Sequence, residues 1–407
     1  MRRSDRKSQR RAGASESGAN RRPSTARPAA RSRAGARKLR VAVVIGTRPE
    51  AVKMAPVVLA LRAEPSRFET RVVLTAQHRE MADDILAHFG IKPDQDLDLM
   101  RPKQSLFVTT SRLVARMEGV LDAEKPDVVL VQGDTTTTFV SALAAFYKGI
   151  RVGHVEAGLR TEDKANPFPE EVNRRLTSHI ADLHFAPTDT ARRALLRERV
   201  SPESIFVTGN TVIDALLWTK SRLPRKMPAT LSRVDASKRI VLVTSHRREN
   251  WGEPLVDVCL ALEDIARAFD DVQIVFPVHP NPIVSETVTR ILGRLENVLL
   301  LPPLDYGAFV ALMSRASLIL TDSGGVQEEA PSLGIPVLVL RRKTERPEAV
   351  RAGVVRLVGT DRRRIVRASA RLLTDPAAYR AMARRKNPYG DGRAAGRIAR
   401  VLARLRA

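Results

Sequence analysis

Cysteine is almost missing from this chain of 407 residues, since Cys259 is the only one. A single cysteine excludes a disulfide framework and a cysteine-held metal cluster, and it suits a reducing compartment. Long hydrophobic runs are missing too: the longest apolar stretches are strand-length segments such as VVLVQ, whereas a membrane helix needs roughly 20 apolar residues. We therefore expect a cytoplasmic protein with no membrane anchor and no metal site.

The composition is ordinary for a large soluble enzyme, with 43% apolar and 28% charged residues in a chain long enough for two or three domains. The net charge of +24 is unevenly distributed, because residues 1–38 hold 13 Lys or Arg against two acidic residues. That segment has no aliphatic core former and cannot offset the entropy of ordering, so we predict a disordered basic tail. We expect it to bind anionic surfaces weakly at most, and we expect no specific nucleic-acid partner.

From residue 39 onward, short runs rich in Val, Ile and Leu alternate with helical patterns, which predicts parallel sheets covered by helices. The predicted strands are 41–45, 71–75, 127–132, 152–156 and 205–208 in a first series, and 240–244, 272–278, 298–301, 318–321, 336–340 and 354–358 in a second. The fold class is therefore α/β, with Rossmann-like domains at 39–208 and 209–389 and a closing helix at about 390–407 that packs back on the first. The default ligand site is the cleft between the carboxyl ends of the two sheets.

Two cations follow the first predicted strand. Arg48 comes directly after it, and Pro49 suits the first turn of a helix that carries Lys53 one turn further on. An anion contact and a solvated basic helix start both explain this pattern. The turn has one glycine and not the G-x-G-x-x-G pattern, which argues against a nicotinamide dinucleotide.

Acidic residues follow the next strands of the first half. Asp134 lies in VQGDTTTT, Glu156 in GHVEAGLR, and Glu170 opens a predicted helix that also carries Arg174. Two of the acids have a structural explanation, because Asp134 can cap a helix and Glu170 can complement a helix dipole. Together with the two cations they form a mixed-charge cluster of the kind that acid–base chemistry near a leaving phosphate requires.

A glycine loop marks the second half. Strand 318–321 runs into Ser323, Gly324 and Gly325 and then into a predicted helix that carries Glu329. Glycines let an anion approach the backbone, the start of a helix favours negative charge, and a carboxylate one turn later suits ribose hydroxyls. Many α/β proteins turn in this way for packing alone, so the loop by itself leaves both interpretations open.

His246 and Arg247 follow strand 240–244, again at the predicted cleft. A histidine at a strand end beside arginines favours a contact to phosphate or to the leaving group, and packing is the alternative.

A set of motifs, in order along the chain, closely resembles the bacterial non-hydrolysing UDP-N-acetylglucosamine 2-epimerases: GTRPEAVKMAP, TAQHREM, GDTTTT, GHVEAGLRT, PEEVNRRLTSHIADLHFAPT, TGNTVIDAL, HRREN, TDSGGVQEEAPSLGIPVL and TERPEAV. The resemblance covers residues 40–407 and leaves out the basic tail. It implies a glycosyltransferase-B type of fold with a UDP-sugar between two Rossmann-like domains that face across a cleft, a homodimer, and no metal or nicotinamide cofactor.

The resemblance also implies an activity, the reversible conversion of UDP-N-acetylglucosamine (UDP-GlcNAc) to UDP-N-acetylmannosamine (UDP-ManNAc), feeding surface polysaccharide synthesis. The implied route eliminates UDP to a bound 2-acetamidoglucal and then adds UDP back. Epimerisation of a modified UDP-GlcNAc derivative and a transferase of the same fold are the alternatives. A hydrolysing epimerase and a non-catalytic sensor are more distant rivals, and the acid cluster argues against the sensor.

By this resemblance the catalytic residues are Asp134, Glu156, Glu170, Arg174 and His246. The substrate-binding residues are Arg48, Lys53, Asp134, Glu156, His246, Leu304, Phe309, Ser323, Gly324, Gly325, Glu329 and Arg346. A second, activating UDP-GlcNAc would contact Gln77, His78, Gln104 and Arg247. Leu304 replaces a Gln of some relatives, which leaves a backbone contact to the base as the expectation there. Which of the three acids removes the proton is left open.

Overall fold

Two parallel β-sheets and the helices that cover them make up the part of the chain that the computed structural model describes, residues 37–75, 79–99, 104–224 and 226–405. Almost all of the predicted tail lies outside these residues, as do Gln77 and His78. Residues 38–405 belong to one compact unit.

The strands of the first sheet are β1 Leu39–Ile45, β2 Phe68–Leu74, β3 Gln95–Asp96, β4 Val128–Gln132, β5 Arg151–Val155, β6 Leu183–Ala186 and β7 Ile205–Val207. Those of the second are β8 Arg239–Thr244, β9 Val272–Pro277, β10 Val298–Leu301, β11 Ala316–Thr321, β12 Val337–Val339 and β13 Val355–Leu357. The helices in the first half are α1 Arg48–Arg62, α2 Arg79–His88, α3 Leu106–Glu124, α4 Thr136–Tyr147, α5 Glu170–Ile180, α6 Asp189–Arg197 and α7 Thr211–Ser221. The later ones are α8 Glu253–Ala268, α9 Pro282–Leu292, α10 Tyr306–Arg315, α11 Gly324–Glu329, α12 Pro347–Ala352, α13 Arg362–Thr374, α14 Pro376–Ala383 and α15 Ala394–Arg404.

The strand order reverses once in each sheet. The orders are β3-β2-β1-β4-β5-β6-β7 and β10-β9-β8-β11-β12-β13, with neighbouring strands parallel throughout. The chain therefore leaves β1 and β4, and likewise β8 and β11, in opposite directions, and a crevice opens at the carboxyl ends of each pair. Arg48, Asp134 and Arg247, three of the charged residues singled out in the sequence, follow three of these strands.

The central strands are apolar along their whole length because helices cover both faces of the sheet. All five residues of β4 are buried, and β1 is buried except for Arg40. The predicted α/β class with two Rossmann-like halves is thus confirmed. Two strands were not predicted. β3 has only two residues, and the apolar pattern of the four-residue β6 is interrupted by His184, whose Nε2 lies 2.8 Å from the Ser178 carbonyl oxygen.

The last helix, α15, packs against α1 and α7. Asp214 on α7 accepts hydrogen bonds from the first two backbone amides of α15, at 3.1 and 2.9 Å, and so satisfies donors that the helix itself leaves unpaired. None of the helices in the described part of the chain is both long and apolar enough to span a membrane.

Candidate active site

The turns after β1 and β4 are tied together by one buried carboxylate, that of Glu50. It accepts hydrogen bonds from the amides of Gly46 and Thr47 at 2.5 and 2.7 Å, and the Thr47 hydroxyl caps α1 in return. Its other oxygen accepts from the Thr135 hydroxyl, which caps α4. Burial raises the pKa of Glu50, and these hydrogen bonds offset part of the rise. The arrangement joins the start of α1, where Arg48 lies, to the start of α4.

Asp134 is not a helix cap, because Thr135 performs that role for α4. The Asp134 carboxylate instead forms an ion pair with Arg174 of α5, and its backbone oxygen accepts from the Asn173 amide at 3.0 Å. Burial in the cleft wall raises the pKa of Asp134, Arg174 offsets part of that rise, and the nearby Glu156 adds to it. The pKa of Asp134 is thus raised even though its carboxylate pairs with Arg174.

Glu156 follows β5 in a left-handed backbone conformation, with φ of 64°, which is uncommon outside glycine. Lys53 Nζ donates to both of its oxygens, at 2.6 and 2.7 Å, and the amides of Gln132 and Asn210 donate to it as well. Burial opposes the charged form, but Lys53 and Arg346 outweigh that effect and lower the pKa of Glu156. Glu156 and Asp134 therefore have opposite pKa shifts in one site.

The two acids at the start of α5 have different environments. Glu171 is fully buried, accepts from the Thr161 amide at 3.0 Å and pairs with Arg175 at 2.9 Å, so its role is structural. Glu170 lines the cleft together with Arg174.

In the second half, the buried carboxylate of Asp322 organises the loop after β8. It accepts from the backbone amides of His246 and Arg247 and from the side chains of Ser245 and Asn250, at 2.9 to 3.1 Å. His246 Nδ1 lies 3.3 Å from an Asp322 oxygen. Burial lowers the pKa of His246, and Asp322 offsets part of the drop.

The glycine loop lies beneath two guanidinium groups. A Cβ built on Gly324 would lie 3.7 Å from an Arg346 nitrogen and 3.8 Å from an Arg247 nitrogen. Arg346 also pairs with Glu328 on α11. Burial disfavours its charge, but Glu328 and Glu156 outweigh that effect and raise the pKa of Arg346. A cationic patch therefore covers the backbone at the end of β11.

A cavity of about 410 Å³ is lined by residues from both halves of the molecule. The predicted site residues that line it are Lys53, Asp134, Glu156, Glu170, Arg174, Arg247 and Arg346. A second cavity of about 510 Å³ is lined by Arg48, Leu304, Tyr306 and His88, among others. Because Arg48 lines the second cavity and the next residue, Pro49, lines the first, the two cavities adjoin at the start of α1.

Six other predicted site residues are not part of the described linings of these cavities: His246, Phe309, Ser323, Gly324, Gly325 and Glu329. The carboxylate of Glu329 accepts from the Tyr306 hydroxyl at 3.3 Å, and burial, with help from Glu328, raises the pKa of Glu329 to about 8. Gln104 donates to the Leu99 carbonyl at 3.3 Å.

Sequence reasoning missed further polar residues at the cleft, among them Asn210, Glu328, Glu345 and Glu348. Glu345 and Glu348 line the first cavity, while Asn210 and Glu328 contact residues that line it. All four lie within the motifs TGNTVIDAL, SGGVQEE and TERPEAV, so the motifs could have identified them. They were not predicted because none of them directly follows a predicted strand.

Two Rossmann-like halves with a mixed-charge cavity at their facing strand ends define a GT-B-like α/β protein. The family model described as UDP-N-acetylglucosamine 2-epimerase matches residues 59–403. An Escherichia coli UDP-N-acetylglucosamine 2-epimerase is 56% identical over 370 residues, which are 89% of this chain and 98% of that protein.

Solved structures agree with these matches. The Neisseria meningitidis UDP-GlcNAc 2-epimerase, bound to UDP-GlcNAc, aligns with a TM-score of 0.83 and 46% identity over 90% of this chain and 100% of that one. The Methanocaldococcus jannaschii UDP-GlcNAc 2-epimerase, in complex with UDP-GlcNAc and UDP, aligns with a TM-score of 0.75 and 34% identity over 90% and 100%. The chain belongs to the UDP-N-acetylglucosamine 2-epimerase family, so the resemblance seen in the sequence is confirmed and the enzyme is an isomerase.

Proposed function

We propose that this enzyme interconverts UDP-GlcNAc and UDP-ManNAc by eliminating UDP across C1 and C2 and adding it back to the bound 2-acetamidoglucal. The observation that carries the proposal is the cavity itself, where the three candidate acids lie in one space with four of the predicted cations, Lys53, Arg174, Arg247 and Arg346. A hydrogen on a sugar C2 is not acidic, so inversion needs both a proton acceptor and a group that holds the departing diphosphate.

We assign the base role to Glu156 and the acid role to Asp134. The environment lowers the pKa of Glu156 and raises that of Asp134, and carboxyl groups with opposite shifts are suited to opposite proton-transfer roles. In the forward direction Glu156 takes the C2 proton, and Asp134 then protonates C2 of the glucal as UDP returns. Glu170, which lines the same wall, is proposed to orient the sugar.

The leaving diphosphate is proposed to rest on the glycine loop. Arg346 and Arg247 lie over Gly324, and the first backbone amides of a helix have no partner within it, which favours an anion there. Charge develops on the diphosphate as the C1–O bond breaks, and fixed cations stabilise it at that moment.

The nucleoside is proposed to occupy the second cavity, with Arg48 near the diphosphate and Leu304 beside the base. Glu329 would then bind the ribose and Phe309 would pack nearby. His246 is proposed to contact the diphosphate from the loop after β8. We further propose that the enzyme is a homodimer whose two domains divide between residues 208 and 209. A second nucleotide would bind near Arg247 and Gln104, and the product would feed surface polysaccharide synthesis.

The experiment is incubation of the purified enzyme with UDP-GlcNAc alone in deuterated water. We expect UDP-ManNAc to appear with deuterium at C2, read by proton NMR. A requirement for an acceptor, or epimer formation without exchange, would refute the elimination route.

Amide substitutions test the three acids. Asp134→Asn, Glu156→Gln and Glu170→Gln are expected to lower turnover by about 100-fold or more with a smaller effect on UDP affinity, since the groups act on the sugar and not on the nucleotide. Glu118→Gln, at an exposed ion pair with Lys148 on the surface of α3, is the matched control. Near-normal turnover in all three variants would remove these acids from the chemistry.

A further inference from the structure

A chain of buried polar side chains crosses from one half of the molecule to the other. Lys53 donates to Glu156, and Asn210 Nδ2 donates to Glu156 Oε1 at 2.9 Å and to Glu328 Oε2 at 3.2 Å. Glu328 in turn accepts from Nε of Arg346. Asn210 and Glu328 are 2% and 1% exposed, and the described linings of the two cavities include neither, so they act through the residues they hold.

The orientation of the Asn210 side-chain amide is determined by its second role, the capping of helix α7. Its Oδ1 accepts from the Val212 amide at 3.1 Å and caps α7, while its own backbone amide donates to the Tyr389 carbonyl at 2.7 Å. With Oδ1 committed to the cap, Nδ2 must face the two carboxylates. Asp and Ser cap helices about as well as Asn, but neither has a side-chain amide to donate.

The two ends of this chain belong to different parts of the proposed chemistry. Glu156 follows a strand of the first sheet, and Arg346 precedes α12 beside the second sheet. The charged or titratable groups that face Glu156 are Lys53, Asp134, His154 and Arg346, with Glu328 beyond Asn210. His154, whose pKa is lowered by burial to about 3, adds no charge at neutral pH.

We propose that Asn210 and Glu328 are positioning residues that hold the base Glu156 and the diphosphate-binding Arg346 in one fixed arrangement across the cleft. The roles of the two end residues rest on the proposed function. Elimination breaks the C2–H and C1–O bonds on one sugar, so the base and the diphosphate cation must keep a constant separation. The Asn210–Glu328 link provides that separation where the two halves meet.

The first test is Asn210→Asp, which keeps the helix cap and the volume and loses the amide donor. We expect turnover to fall about 10- to 100-fold with little change in KM, because the Glu156 carboxylate loses the hydrogen bond that positions it in the transition state. The acid-side limb of the pH profile should move to higher pH, since Glu156 gains a negative neighbour. Asp361→Asn, the reverse exchange at the exposed cap of α13, is the control. An unchanged pH profile in Asn210→Asp would overturn the proposal.

The second test is Glu328→Gln. We expect turnover to fall at least about tenfold, while UDP affinity measured by calorimetry is kept or increased, because Arg346 loses a carboxylate that competes with phosphate. Turnover within twofold of wild type, or a large loss of UDP affinity, would overturn the link between Glu328 and catalysis.

A third measurement needs no activity. Asn210→Ser, Glu328→Gln and the double variant are unfolded in urea, and the effects of the single changes are expected to be non-additive because the two side chains share a hydrogen bond. Additive effects would refute the link. If the wild-type enzyme shows no hydrogen exchange at C2, the proposed function is wrong. The comparison of single and double variants still shows whether Asn210 and Glu328 stabilise the fold through a shared hydrogen bond.

Discussion

Lys53→Met removes the charge of a buried ion pair while keeping most of the side-chain volume. The side chains of Lys53 and Glu156 are 14% and 5% exposed, and the ammonium contacts both carboxylate oxygens. Removing one partner of such a pair typically costs about 3–5 kcal/mol, because the other charge is left buried. Gln132 and Asn210 still donate to Glu156, so we expect the lower end, about 3 kcal/mol at pH 8.

The pH dependence of this loss is the sharper part of the prediction. In wild type the pKa of Glu156 is lowered and that of Lys53 is raised, so the stabilisation from both is complete between their ordinary values of 4.5 and 10.5. In the variant the contribution of Lys53 is gone, and we expect burial to outweigh that of Arg346 and to raise the pKa of Glu156. Glu156 then takes up a proton as the pH falls, and the destabilisation shrinks toward pH 5.

The assay is urea unfolding of both proteins, followed by circular dichroism at several pH values from 5 to 8. Lys148→Met, which removes the cation of an exposed surface pair, is the control and should leave the midpoint nearly unchanged. A loss that is the same at every pH would mean that Lys53 contributes packing only, and the electrostatic reasoning about Glu156 would be wrong.

Three further changes test other parts of the structure. Gly46→Ala should destabilise the fold by about 1–3 kcal/mol in urea, because its new Cβ would lie 2.8 Å from Cβ of Thr137; an unchanged midpoint would show that the β1 turn can shift. Asp214→Ala should cost about 1–2 kcal/mol and increase hydrogen exchange at the start of α15, and unaltered exchange there would contradict the capping role. Glu329→Gln should raise the melting temperature relative to wild type increasingly from pH 5 to 8, because over that range the unfolded chain ionises Glu329 while the folded protein, with a pKa raised to about 8, keeps it protonated and loses stability; a constant difference across that range would argue against burial as the cause.

Much of the site was predictable because strand ends can be recognised in sequence. Arg48, Asp134 and Glu156 follow apolar runs that do form strands, and the parallel arrangement places such positions on one edge. The choice between structural and functional explanations was not predictable. Asp134 and Glu171 are both acids at helix starts, and only their partners distinguish them.

Asn210 and Glu328 show the same limit from the other side. In the sequence, Asn210 is typical of a helix cap and Glu328 is one of two adjacent acids. The 3.2 Å hydrogen bond from Asn210 Nδ2 to Glu328 Oε2 could not be predicted, because the two residues are far apart in sequence. Long-range hydrogen bonds between side chains depend on how the two halves pack, which local patterns do not encode.

The sequence alone determined the α/β class, the two series of strands, the glycine loop and the family, because each depends on local periodicity or on ordered motifs. The tertiary structure decided which carboxyl groups share one cavity, and that Lys53 and Arg346 lower the pKa of Glu156 while burial raises that of Asp134. These properties depend on distance and burial in three dimensions, and the reversal of strand order in each sheet is what brings the groups together.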